Sequence, residues 1–137
     1  MKVILNRIDP DYALEAANED GNVVALDASH EIGGKGNGMR PMQLILAALG
    51  GCSAIDVLQI LKKQKQDIGS FRVEVDGNRK KTRGYSIFNS IEIRFIIGGN
   101  VNPEKAERAV NLSMEKYCSV AKTLEPTAKI TYKVIVK

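Results

Sequence analysis

A helical segment without a polar face constrains this fold more than any other feature of the sequence. Helical periodicity begins near Pro41, a residue suited to the first turn of a helix, and continues to about residue 65. Residues 44–52 read Leu-Ile-Leu-Ala-Ala-Leu-Gly-Gly-Cys and are apolar all round. Polar residues recur every three or four positions only in the second half: Ser53, Asp56, Gln59 and Lys63. A helix that is apolar on every side must be covered on every side.

One small chain with a single sheet does not supply that cover, so the sequence predicts a homodimer. Ala47, Gly51 and Ala54 fall on one face of the helix, and small residues in this arrangement let another backbone approach closely. We therefore expect a second copy of the chain to pack against this helix.

Size and composition indicate one globular domain over residues 1–137. The chain is 44% hydrophobic and 26% charged, which is ordinary for a folded domain. The longest apolar stretch without a charge, residues 41–55, has 15 residues, whereas a membrane-spanning helix needs about 20. The first residues lack the pattern of a signal peptide. We expect a cytoplasmic protein with no membrane partner.

The net charge of +4 raises the question of a nucleic-acid partner. The densest basic cluster, residues 79–83, reads Arg-Lys-Lys-Thr-Arg and has no stacking aromatic residues between its charges. We interpret it as a solvated hairpin tip rather than a phosphate-binding patch. No nucleic-acid partner is predicted.

The order of predicted elements is typical of an α+β fold. Apolar and polar residues alternate over residues 3–5, 12–16 and 23–25, which predicts an N-terminal β-meander before the long central helix. Residues 71–75 and 91–97 alternate in the same way and predict a β-hairpin. A second helix starts at Asn102 and Pro103 and a final strand covers residues 130–136. The apolar stripe of that helix is Ala106, Val110, Met114, Tyr117, Ala121 and Leu124.

Few residues in the chain can carry chemistry. Residues 33–38, Gly-Gly-Lys-Gly-Asn-Gly, fit no phosphate-binding motif and read as a mobile loop or, alternatively, a flap over a site. The single histidine, His30, has no motif around it, and no spacing of ligands predicts a metal site. No metal and no cofactor are expected. The remaining candidates are Cys52 and Cys118, either as small buried hydrophobes or as a redox pair.

The surroundings of Cys52 favour a functional thiol but raise the question of its activation. Gly50 and Gly51 precede it, and each costs roughly 1 kcal/mol relative to alanine inside a helix, which suggests close packing or access around the thiol. Cys52 lies 11 residues after Pro41, about 16 Å along the axis at roughly 1.5 Å per residue. The helix dipole acts only within the first turn and does not reach it. An activating group must come from the N-terminal strands or a second subunit.

Two motifs resemble those of the OsmC/Ohr family, in its OsmC-like branch. Residues 41–52, Pro-Met-Gln-Leu-Ile-Leu-Ala-Ala-Leu-Gly-Gly-Cys, are similar to its first cysteine motif, and residues 117–124, Tyr-Cys-Ser-Val-Ala-Lys-Thr-Leu, to its second. The resemblance implies an OsmC-like fold, an intertwined homodimer and a thiol peroxidase that reduces organic hydroperoxides. It also implies that Cys52 is the peroxidatic cysteine, that Cys118 resolves it and that an external dithiol reduces the pair.

Two departures from the family pattern concern thiolate activation. The hydroperoxide-reducing members carry a glutamate ten positions before the first cysteine, where this chain has Met42, and an arginine in the N-terminal strands that is absent around residues 18–21. Arg7 or Arg40 of a partner chain, with Gln43 as a neutral orienting group, are the candidates that remain. The alternative is a non-catalytic module on the same dimeric scaffold, which binds an apolar ligand or senses redox state.

Overall fold

The computed structural model describes all residues, 1–137, and divides into two units. The first unit is Met1–Ile45 and the second is Leu46–Lys137. Helix α1, Pro41–Lys63, begins in the first unit and continues without a break into the second. Each unit has its own three-stranded sheet, in agreement with the α+β class expected from the sequence.

The first unit is the antiparallel meander predicted from the sequence. Strands β1 (Val3–Arg7), β2 (Leu14–Asn18) and β3 (Val23–Leu26) pair in the order β1-β2-β3. Side-chain acceptors hold the turns: the Asp9 carboxylate accepts hydrogen bonds from the backbone N–H groups of Asp11 and Ala13. Such local bonds are the reason that Asp and Asn favour turns over regular structure.

A buried carboxylate organises the glycine-rich segment that follows. Asp27 is almost fully buried, and its oxygens accept hydrogen bonds from the backbone N–H groups of Ala28, Lys35 and Asn37 at 2.7, 3.2 and 3.1 Å. These bonds, led by the one from Asn37, hold the pKa of Asp27 below its usual value. The segment expected from its glycines to be a mobile loop is therefore tied to the end of β3.

Helix α1 buries one face in the second unit and exposes the other. Its buried residues are Leu49, Gly50, Ser53, Val57 and Leu61. A Cβ added at Gly50 would lie 2.9 Å from Cγ2 of Val75, whereas one at Gly51 would meet nothing within 4 Å. The close packing expected around the glycine pair is thus confirmed for Gly50. Ser53, predicted to lie on a polar stripe, is instead fully buried, and its hydroxyl donates back to the carbonyl of Leu49 at 2.9 Å.

The exposed apolar face of α1 is longer than the run of 15 uncharged residues in the sequence suggested. The helix has 23 residues and, judged by length and composition alone, could cross a membrane. Only 28% of its most apolar 18-residue stretch is buried within the chain. The run of 15 uncharged residues ended at Asp56, but the helix continues past it. Its other face packs on a sheet with open edges, which lipid does not tolerate. One such helix is therefore weak evidence for a membrane span, and it leaves an apolar surface that the single chain does not cover.

The second sheet has the strand order β4-β5-β6. Strands β4 (Asp67–Thr82) and β5 (Tyr85–Asn100) form the antiparallel hairpin predicted from their alternation, and β6 (Lys129–Val136) runs parallel to β5. The inward residues of β5 form the centre of the core: Ile91, Ile93, Phe95 and Ile97. The basic cluster lies at the hairpin tip, as expected, and is largely exposed.

The helix expected to run unbroken to Leu124 is divided into three pieces. Helix α2 (Pro103–Leu112) passes into a π-helical turn at Ser113–Tyr117, and helix α3 (Ser119–Leu124) follows after Cys118. The break occurs because the N–H of Cys118 donates to the carbonyl of Ser113, five residues back, at 2.7 Å. It also turns Tyr117, predicted to lie in the core, to the surface, where 51% of it is exposed.

Candidate functional site

The two cysteines reach the site from different elements of the second unit. Cys52 is half-buried in the middle of α1, one residue before the buried Ser53. Cys118 is fully buried at the junction between the π-helical turn and α3. Its backbone is extended rather than helical, with φ −69° and ψ 102°. The sequence placed Cys118 inside a helix; the structure places it at the helix break instead.

The fold brings the two thiols together with a carboxylate. The Sγ atoms of Cys52 and Cys118 and a carboxylate oxygen of Asp56 all lie within 4.8 Å of one another. Both cysteines are free. Residues 66 positions apart in the chain thus form a close thiol pair, as expected of a redox pair. Asp56 follows Cys52 by four positions on α1, and residues at this spacing lie on the same face of a helix.

Burial keeps Cys118 in the thiol form. Removal from solvent raises the pKa of Cys118 to about 11, and the hydrogen bond and negative charge of Cys52 act in the same direction. The backbone N–H of Ala121, which donates to Cys118 Sγ at 3.4 Å, opposes this effect without overcoming it. The buried sulfur therefore retains its proton while the half-buried sulfur of Cys52 remains the accessible one.

Asp56 is oriented by a residue on the facing helix. The hydroxyl of Ser113, which is fully buried, lies 3.0 Å from Asp56 Oδ2 and donates to it. The same hydroxyl has a second acceptor within reach, the carbonyl of Ser53 at 3.4 Å. No ion pair involves Asp56. The thiols therefore face a carboxylate that has a hydrogen-bond donor but no ion-pair partner.

A groove leads from the surface to this carboxylate. It has a volume of about 610 Å³ and is lined by Asp56, Gln59, Ile60, Lys63, Gln64, Leu112 and Tyr117. Within it, Oε1 of Gln64 is buried without a hydrogen-bond partner. Ile60, Leu112 and Tyr117 give the groove an apolar side, and its other four lining residues are polar or charged.

The residues expected to activate Cys52 belong to the first unit, where Arg7 and Gln43 make local hydrogen bonds through their side chains. The guanidinium of Arg7 donates to the backbone carbonyls of Pro10 and Asp11 in the turn that follows β1. Gln43 accepts a hydrogen bond at 2.9 Å from the backbone N–H of Arg40 at the start of α1. Helix α1 is continuous from Pro41 through Cys52, so the argument that its dipole does not reach the thiol holds.

Sequence reasoning missed Asp56 and Ser113. Asp56 was assigned to a polar stripe, although its spacing of four residues from Cys52 was a signal that both face the same way. For Ser113 the sequence carries no such signal, because it lies 57 positions from Asp56 and reaches it only where the π-helical turn contacts α1.

Residues 34–133 match the OsmC family, described as OsmC-like protein. Protein YhfA of Escherichia coli K12 is 43% identical to this chain over 93 residues, which cover 67% of this chain and 69% of YhfA. The family match over residues 34–133 spans both cysteine motifs and most of the second unit.

Solved structures share the fold over nearly the whole chain. A hypothetical protein from Aquifex aeolicus is 30% identical, with a TM-score of 0.80 and coverage of 99% of this chain and 96% of that one. An organic hydroperoxide resistance protein OsmC from Legionella pneumophila has a TM-score of 0.73 at 20% identity, with coverage of 99% and 98%. The second similarity extends to the fold alone.

Proposed function

Because this chain belongs to the OsmC-like protein family, we propose that it is a thiol-dependent peroxidase that reduces organic hydroperoxides. The observation that carries the proposal is the approach of the Cys52 and Cys118 sulfurs to within 4.8 Å of each other. To form a disulfide, the two sulfurs have to move from this separation to about 2.05 Å. A solved protein of the same fold is described as an organic hydroperoxide resistance protein.

The proposed reaction has two steps in the protein and one with an external reductant. The Cys52 thiolate attacks the distal peroxide oxygen, the O–O bond breaks, and the alcohol leaves with a proton, so that Cys52 becomes a sulfenic acid. The Cys118 thiol then attacks the Cys52 sulfur, and water leaves as the disulfide forms. A dithiol reduces this disulfide by exchange and is itself oxidised.

The environments of the two sulfurs support this division of roles. Cys52 is half-buried and open to a substrate, whereas Cys118 is fully buried. A pKa raised to about 11 keeps Cys118 protonated, so it does not compete for the peroxide, because the thiolate is the nucleophilic form. A resolving cysteine needs proximity more than reactivity, and its position at the helix break provides that.

The groove beside Asp56 supports an organic substrate over hydrogen peroxide. Ile60, Leu112 and Tyr117 contribute apolar surface to it. A hydrocarbon tail buried there gains about 25 cal/mol per Å² removed from water, and hydrogen peroxide has no such tail. We therefore expect cumene hydroperoxide to be consumed faster than hydrogen peroxide.

Peroxide consumption in the presence of a dithiol tests the proposal. We expect the wild-type chain to consume cumene hydroperoxide and Cys52→Ser to lose at least about 90% of the rate, because removal of an essential nucleophile lowers a rate by several orders of magnitude. Cys118→Ser is the matched variant: it should still form one sulfenic acid per chain, detectable by mass spectrometry after trapping, but turn over slowly. An equal rate in wild type and Cys52→Ser would refute a role for this thiol in peroxide reduction.

Asp56 favours one other function, a redox-sensing module with a slowly oxidised thiol pair. A carboxylate without an ion-pair partner lies within 4.8 Å of both sulfurs. The same assay separates the two functions. A sensor would form the Cys52–Cys118 disulfide once, over minutes, without sustained consumption of peroxide.

We further propose that the functional form is a homodimer built on the exposed face of α1. This face carries Ala47, Ala48, Gly51 and Ile55, all of them exposed in the single chain. No atom lies within 4 Å of a Cβ added at Gly51, so there is room for a close approach of a second backbone. The activating cation expected from the sequence, Arg7 or Arg40, would then be supplied by the second copy.

A further inference from the structure

Three groups of the site form a ligand set for a metal ion. The Sγ atoms of Cys52 and Cys118 and a carboxylate oxygen of Asp56 lie within 4.8 Å of one another. Two thiolates and a carboxylate are ligands that Zn²⁺ binds tetrahedrally, at about 2.3 Å for sulfur and about 2.0–2.2 Å for oxygen. The sequence revealed no such site, because Cys118 reaches α1 only through the fold.

The electrostatics of the site call for a cation. Fully deprotonated, the three groups carry three negative charges, and no ion pair neutralises Asp56. Charges of one sign that are held this close together are costly unless a counter-ion neutralises them. A divalent cation would balance two of these charges, since a thiol that coordinates a metal ion releases its proton to solvent.

The groups behind the ligands are already in place. Ser113 donates to Oδ2 of Asp56 and leaves the other carboxylate oxygen free to bind. The N–H of Ala121 donates to Cys118 Sγ. Hydrogen bonds of this kind orient ligands and tune metal affinity. Cys52 and Asp56 are half-buried and Asp56 lines the groove, so a fourth position remains open toward solvent.

We propose that Cys52, Asp56 and Cys118 bind one Zn²⁺ ion in the reduced protein, with a solvent-accessible fourth position. The metal and the disulfide exclude each other, because both use the same two sulfurs. When a hydroperoxide oxidises the pair, the two thiolates lose two electrons, and the peroxide takes up two protons and yields alcohol and water. Zn²⁺ is then released. The release step, unlike the binding step, rests on the proposed peroxidase function.

Zinc binding is measured on the reduced full-length chain by competition with a chromophoric chelator. We expect one Zn²⁺ per chain, and at least tenfold weaker binding in Asp56→Asn and in Cys118→Ser. Asp67→Asn is the matched control, since Asp67 is an exposed aspartate at the start of β4. Circular dichroism establishes that each variant is folded. Co²⁺ in place of Zn²⁺ should give the absorbance of a thiolate-bound tetrahedral ion in the wild type and in Asp67→Asn, and a weaker absorbance in Asp56→Asn and Cys118→Ser.

The outcomes separate this inference from the proposed function. Absence of one-to-one binding at micromolar Zn²⁺, or equal affinity in the wild type and Asp56→Asn, would overturn the metal site whatever the peroxidase result. Binding as predicted, followed by cumene hydroperoxide releasing Zn²⁺ in step with loss of free thiols, supports both. Binding without release on peroxide addition supports the site and counts against the peroxidase.

Discussion

Replacement of Ile55 by glutamine should dissociate the proposed dimer without unfolding the chain. Ile55 lies on the face of α1 that the single chain leaves open, and 69% of it is exposed. Glutamine is a good helix former of similar size. A surface substitution of this kind changes the stability of the single chain by no more than about 0.5 kcal/mol. Any larger effect must therefore come from a second copy.

The loss of dimerisation free energy in Ile55→Gln can be estimated from the exposed part of the isoleucine side chain. Full burial of an isoleucine side chain contributes roughly 1.5–3 kcal/mol, and about two thirds of that remains to be gained at Ile55, or roughly 1–2 kcal/mol per chain. A two-fold interface uses the same surface of both copies, so the loss is roughly 2–4 kcal/mol per dimer. This corresponds to a roughly 30- to 1000-fold higher dissociation constant.

Sedimentation velocity at chain concentrations from about 0.1 to 100 µM measures the change, because this range covers micromolar dissociation constants. We expect the wild type to sediment at twice the chain mass of 15.0 kDa and Ile55→Gln to shift to the single-chain mass at low concentration. Ile135→Gln is the control, because this partly exposed isoleucine lies on β6, away from α1. A wild type with the single-chain mass at the highest concentration would show the reasoning to be wrong, as would equal dissociation constants for the wild type and Ile55→Gln.

Two further predictions concern packing and pH. Gly77→Ala should lower the free energy of unfolding by about 2 kcal/mol, because the added Cβ would lie 2.6 Å from Cε1 of Phe88 and 2.9 Å from Cδ2 of Leu46; an unchanged denaturation midpoint would contradict this. Below pH 3.8, the loop held by Asp27 should lose amide protection, most clearly at Asn37. The folded pKa of Asp27 lies below that unfolded value, so its stabilisation is present above pH 3.8 and is lost as the pH falls through the folded pKa. In Asp27→Asn, protection factors from hydrogen exchange should already be low at pH 6, and an Asn37 amide that stays equally protected in this variant would count against the role of the carboxylate.

Periodicity predicted the strands and the first helix because each depends on its own side-chain pattern. The alternation over residues 91–97 places Ile91, Ile93, Phe95 and Ile97 in the core, and the apolar cylinder after Pro41 is a continuous helix. The pairing of β6 with β5 in parallel was beyond such reasoning. It depends on where α2 and α3 deliver the chain, and that is a tertiary property.

The break before Cys118 escaped prediction because the sequence pattern does not change there. Apolar residues recur at helical spacing through Met114 and Ala121, and both are buried as expected. One backbone bond, from the N–H of Cys118 to the carbonyl of Ser113, inserts the π-helical turn between them. Such turns are frequent at functional sites. This one places the Cys118 sulfur close to Cys52 and Asp56 of α1.

Asp56 connects the two departures from the family pattern to the chemistry of the thiols. An arginine beside a cysteine stabilises the thiolate and leaves its sulfur free to attack a peroxide. Asp56 has the opposite charge to an arginine, and no cation forms an ion pair with it. A guanidinium from a second copy of the chain would produce a reactive Cys52. A divalent ion would also stabilise the thiolates, but it would occupy the sulfur atoms that have to react. We therefore expect the identity of the cation to decide whether the pair turns over peroxide continuously or remains metal-bound until a single oxidation.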